Sequence, residues 1–252
     1  MELNGKHAIV TGGGTGIGAA IARALAADGA IVTITGRRMS ALEETAGGTP
    51  GLFPLTMDVT DEASVTGGIA AAVDARGPIQ ICVPNAGIAE GRALHKTSTE
   101  VWRQTMATNL DGTFLTIRES LTSMRQAGWG RVIAVASIAG LKGLKGAPAY
   151  SASKHGMVGL IRALAADYAG QEITFNALCP AYVDTDIITR NVTSISHRAG
   201  VSQDQARQMM VGLNPHGRLI APDEVAAAAL WLCRKGSESV NGQAIQIAGG
   251  EI

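Results

Sequence analysis

The sequence has few of the features that mark secreted, membrane or nucleic-acid-binding proteins. Its three cysteines are scattered without CxxC spacing, so neither a disulfide framework nor a metal site is predicted, and the thiols are expected to be reduced in a cytoplasmic protein. Lys plus Arg and Asp plus Glu number 21 each, and a balanced charge does not favour nucleic acid or a membrane surface as partner. The apolar runs are too short to span a bilayer, and the polar start has no signal-peptide pattern.

Glycine is abundant instead, at 32 of 252 residues, and β-branched runs alternate with alanine-rich stretches. Apolar strands separated by helices predict a parallel sheet covered on both faces. No repeat or linker interrupts this pattern, so residues 1–252 are predicted to form one α/β domain. The predicted strands are 6–11, 30–35, 51–58, 79–84, 131–137, 173–178 and 243–247, and the predicted helices are 16–28, 39–46, 61–75, about 99–127, 150–169 and 222–234.

One segment, residues 186–217, departs from this alternation. It is polar, contains methionine and is bounded by Gly and Pro, which predicts an inserted helical flap. Long insertions in compact domains are often functional and cover a site. A simple surface insertion is the alternative.

The first predicted strand leads into the segment TGGGTGIG, residues 11–18, which opens a predicted helix. Glycines there permit a tight turn and let backbone amides approach a pyrophosphate at the helix N-terminus. A plain strand–helix turn also uses glycine, but the position directly between strand and helix favours dinucleotide binding. The residues expected to bind the cofactor here are Thr11, Gly12, Thr15, Gly16, Ile17 and Gly18.

The end of the second predicted strand bears on which dinucleotide is used. An acidic side chain at this point binds the ribose of NAD, whereas a basic one accommodates the 2′-phosphate of NADP. The sequence has Gly36 followed by Arg37 and Arg38. Guanidinium groups match phosphate geometry and no carboxylate is present, so NADP(H) is favoured and NAD(H) is the second possibility. The alternative is that one or both arginines are only solvent-exposed residues at the start of a helix.

Four polar residues in separate predicted elements are candidates for catalysis. Tyr150 and Lys154 are four positions apart on a predicted helix, so a cation could lower the pKa of the phenol for acid–base work, although a solvated pair is the other interpretation. Ser137 ends the fifth predicted strand without a GxSxG elbow, which suits a hydrogen-bond donor better than an acyl-transfer nucleophile. Asn109 lies inside a predicted long helix, where asparagine is unfavourable.

The glycine spacing, the NAG segment at 85–87 and the set of Asn109, Ser137, Tyr150 and Lys154 together resemble the short-chain dehydrogenase/reductase family from end to end. The resemblance implies a Rossmann-type, doubly wound sheet of seven parallel strands that interconverts a secondary alcohol and a ketone with NAD(P). It implies that Tyr150 is the acid/base, Lys154 binds the nicotinamide ribose, Ser137 polarises the substrate oxygen and Asn109 supports a proton relay. It also implies a homotetramer, with a dimer as the alternative.

The resemblance further implies contacts to the cofactor beyond the glycine turn. Two residues ending strand three would contact adenine, three after strand four would line the cofactor, and a segment after strand six would clamp the carboxamide. These residues are Asp58, Val59, Asn85, Ala86, Gly87, Pro180, Val183 and Thr185.

The sequence departs from the family pattern in two places. Pro84 replaces an asparagine and removes a backbone donor, which should alter local support of the sheet. Ala181 replaces a glycine, so its turn must avoid a positive φ.

The substrate is predicted from the pocket residues. Relatives that bind short hydroxy acids have polar or basic residues two after the serine and three before the tyrosine, where this chain has Ala139 and Ala147. An apolar pocket with a basic mouth suits a 3-hydroxyacyl or 3-oxoacyl thioester, whose carrier has phosphates. The expected wall is Ala139, Leu141, Leu144, Ala147, Tyr182, Ile187, Ile188, Met209 and Met210, and the expected basic mouth is Lys142, Lys145, His197 and Arg198.

Other interpretations stay open at this point. The basic residues of the mouth would serve equally well as solvated surface. The close alternative substrate is a bulky aromatic or alicyclic ketone or alcohol. An NADP-sensing binding protein is the non-enzymatic alternative, although such proteins usually lack the tyrosine or the lysine.

Overall fold

The computed structural model describes residues 1–251. Seven parallel strands form one sheet in the order β3-β2-β1-β4-β5-β6-β7. This confirms the predicted single-domain, doubly wound α/β fold. The strands are β1 His7–Thr11, β2 Ile31–Gly36, β3 Leu52–Thr56, β4 Ile79–Val83, β5 Gly130–Val135, β6 Ile173–Pro180 and β7 Ala244–Ile247.

Helices cover both faces of the sheet, because strands that are buried throughout must be shielded on each side. One apolar cluster packs α1 and α9 against the sheet, and a second packs α3, α5 and α6. The helices are α1 Gly16–Ala27, α2 Met39–Ala46, α3 Glu62–Arg76, α4 Thr99–Met106, α5 Gly112–Ala127, α6 Pro148–Asp167, α7 Asp186–Ala199, α8 Gln203–Val211 and α9 Pro222–Cys233.

The strand order reverses between β1 and β4. Ligands of open α/β sheets bind at such a switch point, outside the carboxyl ends of the strands. Pro84 immediately follows β4 there and still accepts a hydrogen bond from the amide of Val135 (2.9 Å). Ala181 avoids a positive φ as predicted, since every positive φ found in residues 1–251 belongs to a glycine.

The predicted long helix at 99–127 is interrupted. A π-helical turn, Ala107–Asp111, separates α4 from α5 and contains Asn109. Such turns insert one residue into a helix and are frequent at functional sites. The prediction of one continuous helix is therefore wrong at the position of its unfavourable asparagine.

The flap is helical, as predicted. Helices α7 and α8 pack on each other around a small apolar cluster of their own: Ile188, Val192, Ala206 and Met210. Separately, within residues 1–251 no helix is long and apolar enough to cross a membrane.

Candidate active site

A cavity of about 710 Å³ opens at the carboxyl ends of the central strands, beneath the flap. It contains the catalytic candidates Ser137, Tyr150 and Lys154 on one wall. The structure therefore joins segments that are far apart in sequence. The other predicted site residues on its wall are Gly12, Thr15, Gly16, Ile17, Asn85, Ala86, Gly87, Leu144, Ala147, Pro180, Tyr182, Val183, Thr185 and Ile187.

Hydrogen bonds fix the glycine-rich turn against β4. The Thr11 hydroxyl accepts from the amides of Asn85 and Ala86 (both 3.0 Å), and Asn85 Nδ2 donates to the carbonyl oxygen of Thr11 (2.9 Å). A Cβ at Gly18 would lie 2.4 Å from Asn85 Nδ2, so only glycine fits there. Thr11 and Gly18 thus hold the turn in place through their contacts with the segment after β4, and they are not on the cavity wall.

The turn fits a dinucleotide pyrophosphate. Gly12 and Gly16 have φ values of +64° and +53°, which favour glycine. The Thr15 side chain makes no capping hydrogen bond to α1, so the first amides of this helix are left for an anion. The residues around the turn are therefore suited to hold NAD(P).

The residues predicted to bind the adenosine end of the cofactor lie beyond the cavity wall. Arg37 and Arg38 are exposed at the carboxyl end of β2. Asp58 is near Arg37, and its pKa is lowered chiefly by the amide of Thr60, which donates to the carboxylate (3.0 Å), and also by the positive charge of Arg37. Val59 is buried against Gly112 of α5, where a Cβ would lie 2.8 Å from Val59 Cγ2.

Ser137 follows β5 and begins a short 3₁₀ turn, Ile138–Gly140. Its Oγ accepts a hydrogen bond from the amide of Ala139 (3.1 Å). This bond holds the oxygen near the cavity while its hydroxyl hydrogen is free to donate. Ala139 itself is fully buried under that turn, so the prediction that Ala139 lines the substrate pocket is wrong.

Tyr150 lies in the first turn of α6 and reaches the cavity beside Ser137. Burial raises the pKa of the Tyr150 phenol, against a weaker lowering by a hydrogen bond with Ser137. The sequence predicted the opposite direction, with Lys154 lowering this pKa. In the protein without cofactor, the cost of desolvating the phenolate is larger than the stabilisation of the phenolate by neighbouring groups. Tyr150 is therefore protonated, and this is the form that donates a proton to a carbonyl oxygen.

Lys154 is one turn further along α6 and almost fully buried. Its Nζ donates to the carbonyl oxygen of Val135 (2.9 Å) and lies 5.8 Å from the centre of the Tyr150 ring. Burial lowers the pKa of Lys154 to about 8. The ammonium is thus held at the cavity wall by the end of β5 and is still mostly charged at neutral pH.

Asn109 is fully buried and does not reach the cavity. Its Oδ1 accepts from the amide of Ile88 (2.8 Å), and its Nδ2 donates to the Ile88 carbonyl oxygen (3.0 Å) and to Ser153 Oγ (3.0 Å). Ser153 in turn donates to the carbonyl oxygen of Tyr150 (2.8 Å). The side chain of Asn109 therefore joins the loop after β4 to the tyrosine-bearing helix.

Parts of the predicted mouth and wall lie elsewhere. Lys142 and Lys145 line the cavity, but His197 and Arg198 do not, because only the N-terminal part of α7 reaches the cavity. Among the predicted apolar residues Ile188 is on the wall. Leu141 packs in the core, Met210 faces the flap cluster and Met209 is exposed, so these three predictions are wrong.

Two residues of the site are not predicted from the sequence. Glu251 lies on the cavity wall, where its carboxylate pairs with Lys142 (2.6 Å). Gly249 and Gly250, both with positive φ, turn the chain after β7 toward the cavity, and this glycine pair was the available signal. Ser153 connects Asn109 to Tyr150, and its only feature in the sequence that could have predicted this role is its place beside Lys154.

Comparisons with known proteins agree with this geometry. The short chain dehydrogenase family model matches residues 6–195. The chain is 35% identical to D-beta-hydroxybutyrate dehydrogenase of Cupriavidus necator, covering 99% of each chain, and 35% identical to acetoacetyl-CoA reductase of Rhizobium meliloti, covering 98% of each. A crystal structure of a single-site variant of actinorhodin polyketide ketoreductase with NADPH superimposes with a TM-score of 0.94 at 34% identity, covering 98% of this chain and 97% of that one.

The fold and the site define a nicotinamide-dependent oxidoreductase built on one Rossmann-type domain. The chain belongs to the short-chain dehydrogenase/reductase family. It is an enzyme that interconverts a secondary alcohol and a ketone with NAD(P).

Proposed function

We propose that the protein reduces 3-oxoacyl thioesters to 3-hydroxyacyl thioesters with NADPH. The observation that carries this proposal is the cavity wall around Tyr150. Leu144, Ala147 and Ile188 make the wall apolar, and the exposed ammonium of Lys145 lies at its edge. An apolar chamber with a cation outside suits an acyl chain on a phosphate-bearing carrier.

Two of the relatives are named for different substrate classes. One is named for hydroxybutyrate, a small hydroxy acid, and another for acetoacetyl-CoA, a 3-oxoacyl thioester. The position three before the tyrosine, where carboxylate-binding relatives place a polar or basic side chain, is Ala147 and lies on the cavity wall. A free carboxylate would have no partner there, so the thioester is favoured.

The positions of the side chains support the following catalytic roles. When bound, the nicotinamide supplies the hydride to the carbonyl carbon. The Ser137 hydroxyl donates a hydrogen bond to the substrate oxygen, and the Tyr150 hydroxyl donates the proton that converts it to an alcohol. The Lys154 ammonium holds the nicotinamide ribose and favours the phenolate that Tyr150 leaves behind. Asn109 positions Tyr150 through Ser153.

NADPH is proposed over NADH on the basis of the charge at the end of β2. Arg37 and Arg38 are exposed there, and Gly36 provides no carboxylate to repel a 2′-phosphate. The related ketoreductase was crystallised with NADPH. Asp58 and Val59 at the adenine, and Pro180, Val183 and Thr185 at the carboxamide, complete the proposed contacts.

A homotetramer in the cytoplasm is proposed as the working form. Trp102 of α4 and Phe114 of α5 are more than a third exposed, which suits a further protein contact on the long helix. Cys82, Cys179 and Cys233 are free and buried, as expected in a reducing compartment. Light scattering should give four times the chain mass for the native protein, and a smaller assembly for Phe114→Glu.

A matched substrate panel tests the proposed substrate. We expect NADPH oxidation with acetoacetyl-CoA and longer 3-oxoacyl-CoA thioesters, and little with free acetoacetate, which has the same reacting ketone. Equal kcat/KM for the free acid would contradict the thioester proposal. Preferential reduction of a bulky cyclic ketone would support the second candidate, and NADPH binding without any turnover would indicate a cofactor-sensing protein.

The cofactor proposal has a separate test. Arg37→Ala should lower kcat/KM for NADPH at least tenfold while that for NADH changes little. The reason is that only NADPH has a phosphate for the guanidinium to bind. An unchanged ratio of the two efficiencies would show that Arg37 does not read the 2′-phosphate.

A further inference from the structure

A second cavity, of about 230 Å³, lies at the amino ends of the strands, opposite the carboxyl ends that form the active site. It is bounded by residues that precede or begin strands and by the end of α9. Lys6 precedes β1, Trp129 and Arg131 are at the start of β5, and Lys235 follows α9. A six-residue strand such as β5 spans about 20 Å, so the two cavities are separated by the length of the sheet.

Arg131 is buried in the wall of this cavity, and no carboxylate of residues 1–251 forms an ion pair with it. The residue is only 2% exposed. Its Nη1 donates to the carbonyl oxygens of Gly130 (2.9 Å) and Glu172 (3.1 Å), but the buried Nε has no partner, and no hydrogen bond from Nη2 is found among residues 1–251. A buried charge without a counter-ion is costly, and the cavity is where a missing acceptor could stand.

A second cation shares the same aromatic ring. Lys6 Nζ lies 4.2 Å and the Arg131 guanidinium 4.5 Å from the centre of the Trp129 ring. Each contact is favourable, but together they bring two positive charges close to one another. Within the described chain neither Lys6 nor Arg131 has an ion pair, and the same holds for Lys235 at the rim.

Two carboxylates also border the cavity, and both are already engaged. Glu2 accepts from the amide of Lys235 (3.1 Å) and lies 4.0 Å from Arg234. Glu238 accepts from the amide of Gly236 (2.8 Å). Arg234 is bound mainly by Asp28, through two hydrogen bonds of 3.1 and 2.9 Å. Within residues 1–251, Lys6, Arg131 and Lys235 have no carboxylate at ion-pair distance, and the Glu238 charge acts on Arg131 and Lys235 only from further away.

We propose that this cavity is a binding site for a small oxyanion of the phosphate class, held by Nη2 of Arg131 and by the ammonium of Lys6. Arg131 Nη2 offers a charged donor for one phosphate oxygen, and Lys6 adds a second positive charge beside it. The oxyanion is inorganic phosphate or the phosphate group of a small ester. The site is remote from the reaction and does not depend on the proposed substrate.

Titration with inorganic phosphate at constant ionic strength tests the site in the full-length protein. Binding should change tryptophan fluorescence, because Trp129 lies in the wall, and should raise the melting temperature. Lys6→Met should weaken binding at least fivefold, and Lys96→Met, which removes an exposed cation elsewhere, should leave it unchanged. The same titration with saturating NADP⁺ controls for phosphate bound at the cofactor site, and the fluorescence change should remain.

A gain-of-binding variant makes the test independent of folding defects. Glu238→Gln removes a negative charge from the rim and should tighten phosphate binding severalfold. A parallel titration with glycerol phosphate identifies the source of the oxyanion, since tighter binding than that of phosphate indicates an ester. A response that chloride reproduces at the same ionic strength, or that Lys6→Met and Glu238→Gln leave unchanged, would overturn the proposal.

Discussion

At the scale of one residue, the fold buries the positive charge of Lys154 at a cost in stability, because the ammonium is proposed to bind the cofactor. Burial lowers its pKa from 10.5 to about 8, so keeping the ammonium charged at neutral pH costs on the order of 3 kcal/mol. Because the folded pKa is depressed, this cost is full below pH 8 and falls as the pH rises toward 10.5.

Replacing this lysine should therefore stabilise the protein. Lys154→Met removes the buried charge and loses one hydrogen bond to Val135, for a net gain of about 2 kcal/mol in the free energy of unfolding at pH 7. Activity should be lost at the same time. Chemical denaturation at pH 7 and pH 10 measures the gain, which should be smaller at pH 10. A destabilised variant at pH 7 would contradict the cost assigned to the charge.

His7 provides a pH dependence that is unrelated to catalysis. Its Nδ1 lies 2.7 Å from the Gly77 carbonyl oxygen and its Nε2 lies 2.9 Å from Thr33 Oγ1, and burial lowers the pKa of His7 below 6.5. The unfolded chain binds a proton near pH 6.5 that the folded chain does not, so the stability from neutral His7 is present above pH 6.5 and is lost as the pH falls below it.

Denaturation curves between pH 7.5 and 5.5 test this assignment. The free energy of unfolding of the native protein should decrease over that interval, and His7→Gln, although less stable at pH 7.5, should show a shallower decrease. Parallel pH dependences for the two proteins would contradict the role of His7.

At the scale of elements, the junction of α5 with the loop after β3 depends on one glycine. A Cβ at Gly112 would lie 2.8 Å from Val59 Cγ2 and 3.1 Å from the Val59 carbonyl oxygen. Gly112 directly follows the π-helical turn that positions Asn109. Displacing Gly112 would disturb both Val59, which is proposed to contact the adenine, and the support of Tyr150.

Gly112→Ala should lower stability by about 1–3 kcal/mol and weaken NADPH binding. The control is Gly67→Ala in α3, where a Cβ meets nothing within 4 Å. That change should instead stabilise the protein by about 0.5–1 kcal/mol, because alanine favours a helix. Thermal unfolding with and without NADPH separates the two effects, and equal behaviour of the two variants would contradict the close packing.

The elements were largely predictable from the sequence because the strands are apolar throughout and the helices lie between them. All seven strands follow from that pattern, whereas the π-helical turn at Asn109 interrupts a helix that the pattern predicts as continuous. The end of α7 was harder, since its amphipathic sequence does not say which way the flap turns. His197 and Arg198 were therefore placed at the mouth, although they lie off the cavity wall.

At the scale of the whole molecule, the site is assembled from segments that only the sheet brings together. The sequence pattern located Ser137, Tyr150 and Lys154, since each has a regular place in strand or helix. The direction of the Tyr150 pKa shift and the burial of Ala139 depend on packing between elements, which no local pattern contains. Glu251 reaches the cavity only through the path of the chain after β7.

The central claim is that Tyr150 donates the proton in an NADPH-dependent reduction of a 3-oxoacyl thioester. The most direct measurement follows NADPH oxidation with acetoacetyl-CoA for the native protein and for Tyr150→Phe, together with NADPH binding to both. The account predicts that Tyr150→Phe binds NADPH normally and loses at least a hundredfold in kcat. Near-native turnover by Tyr150→Phe would contradict it.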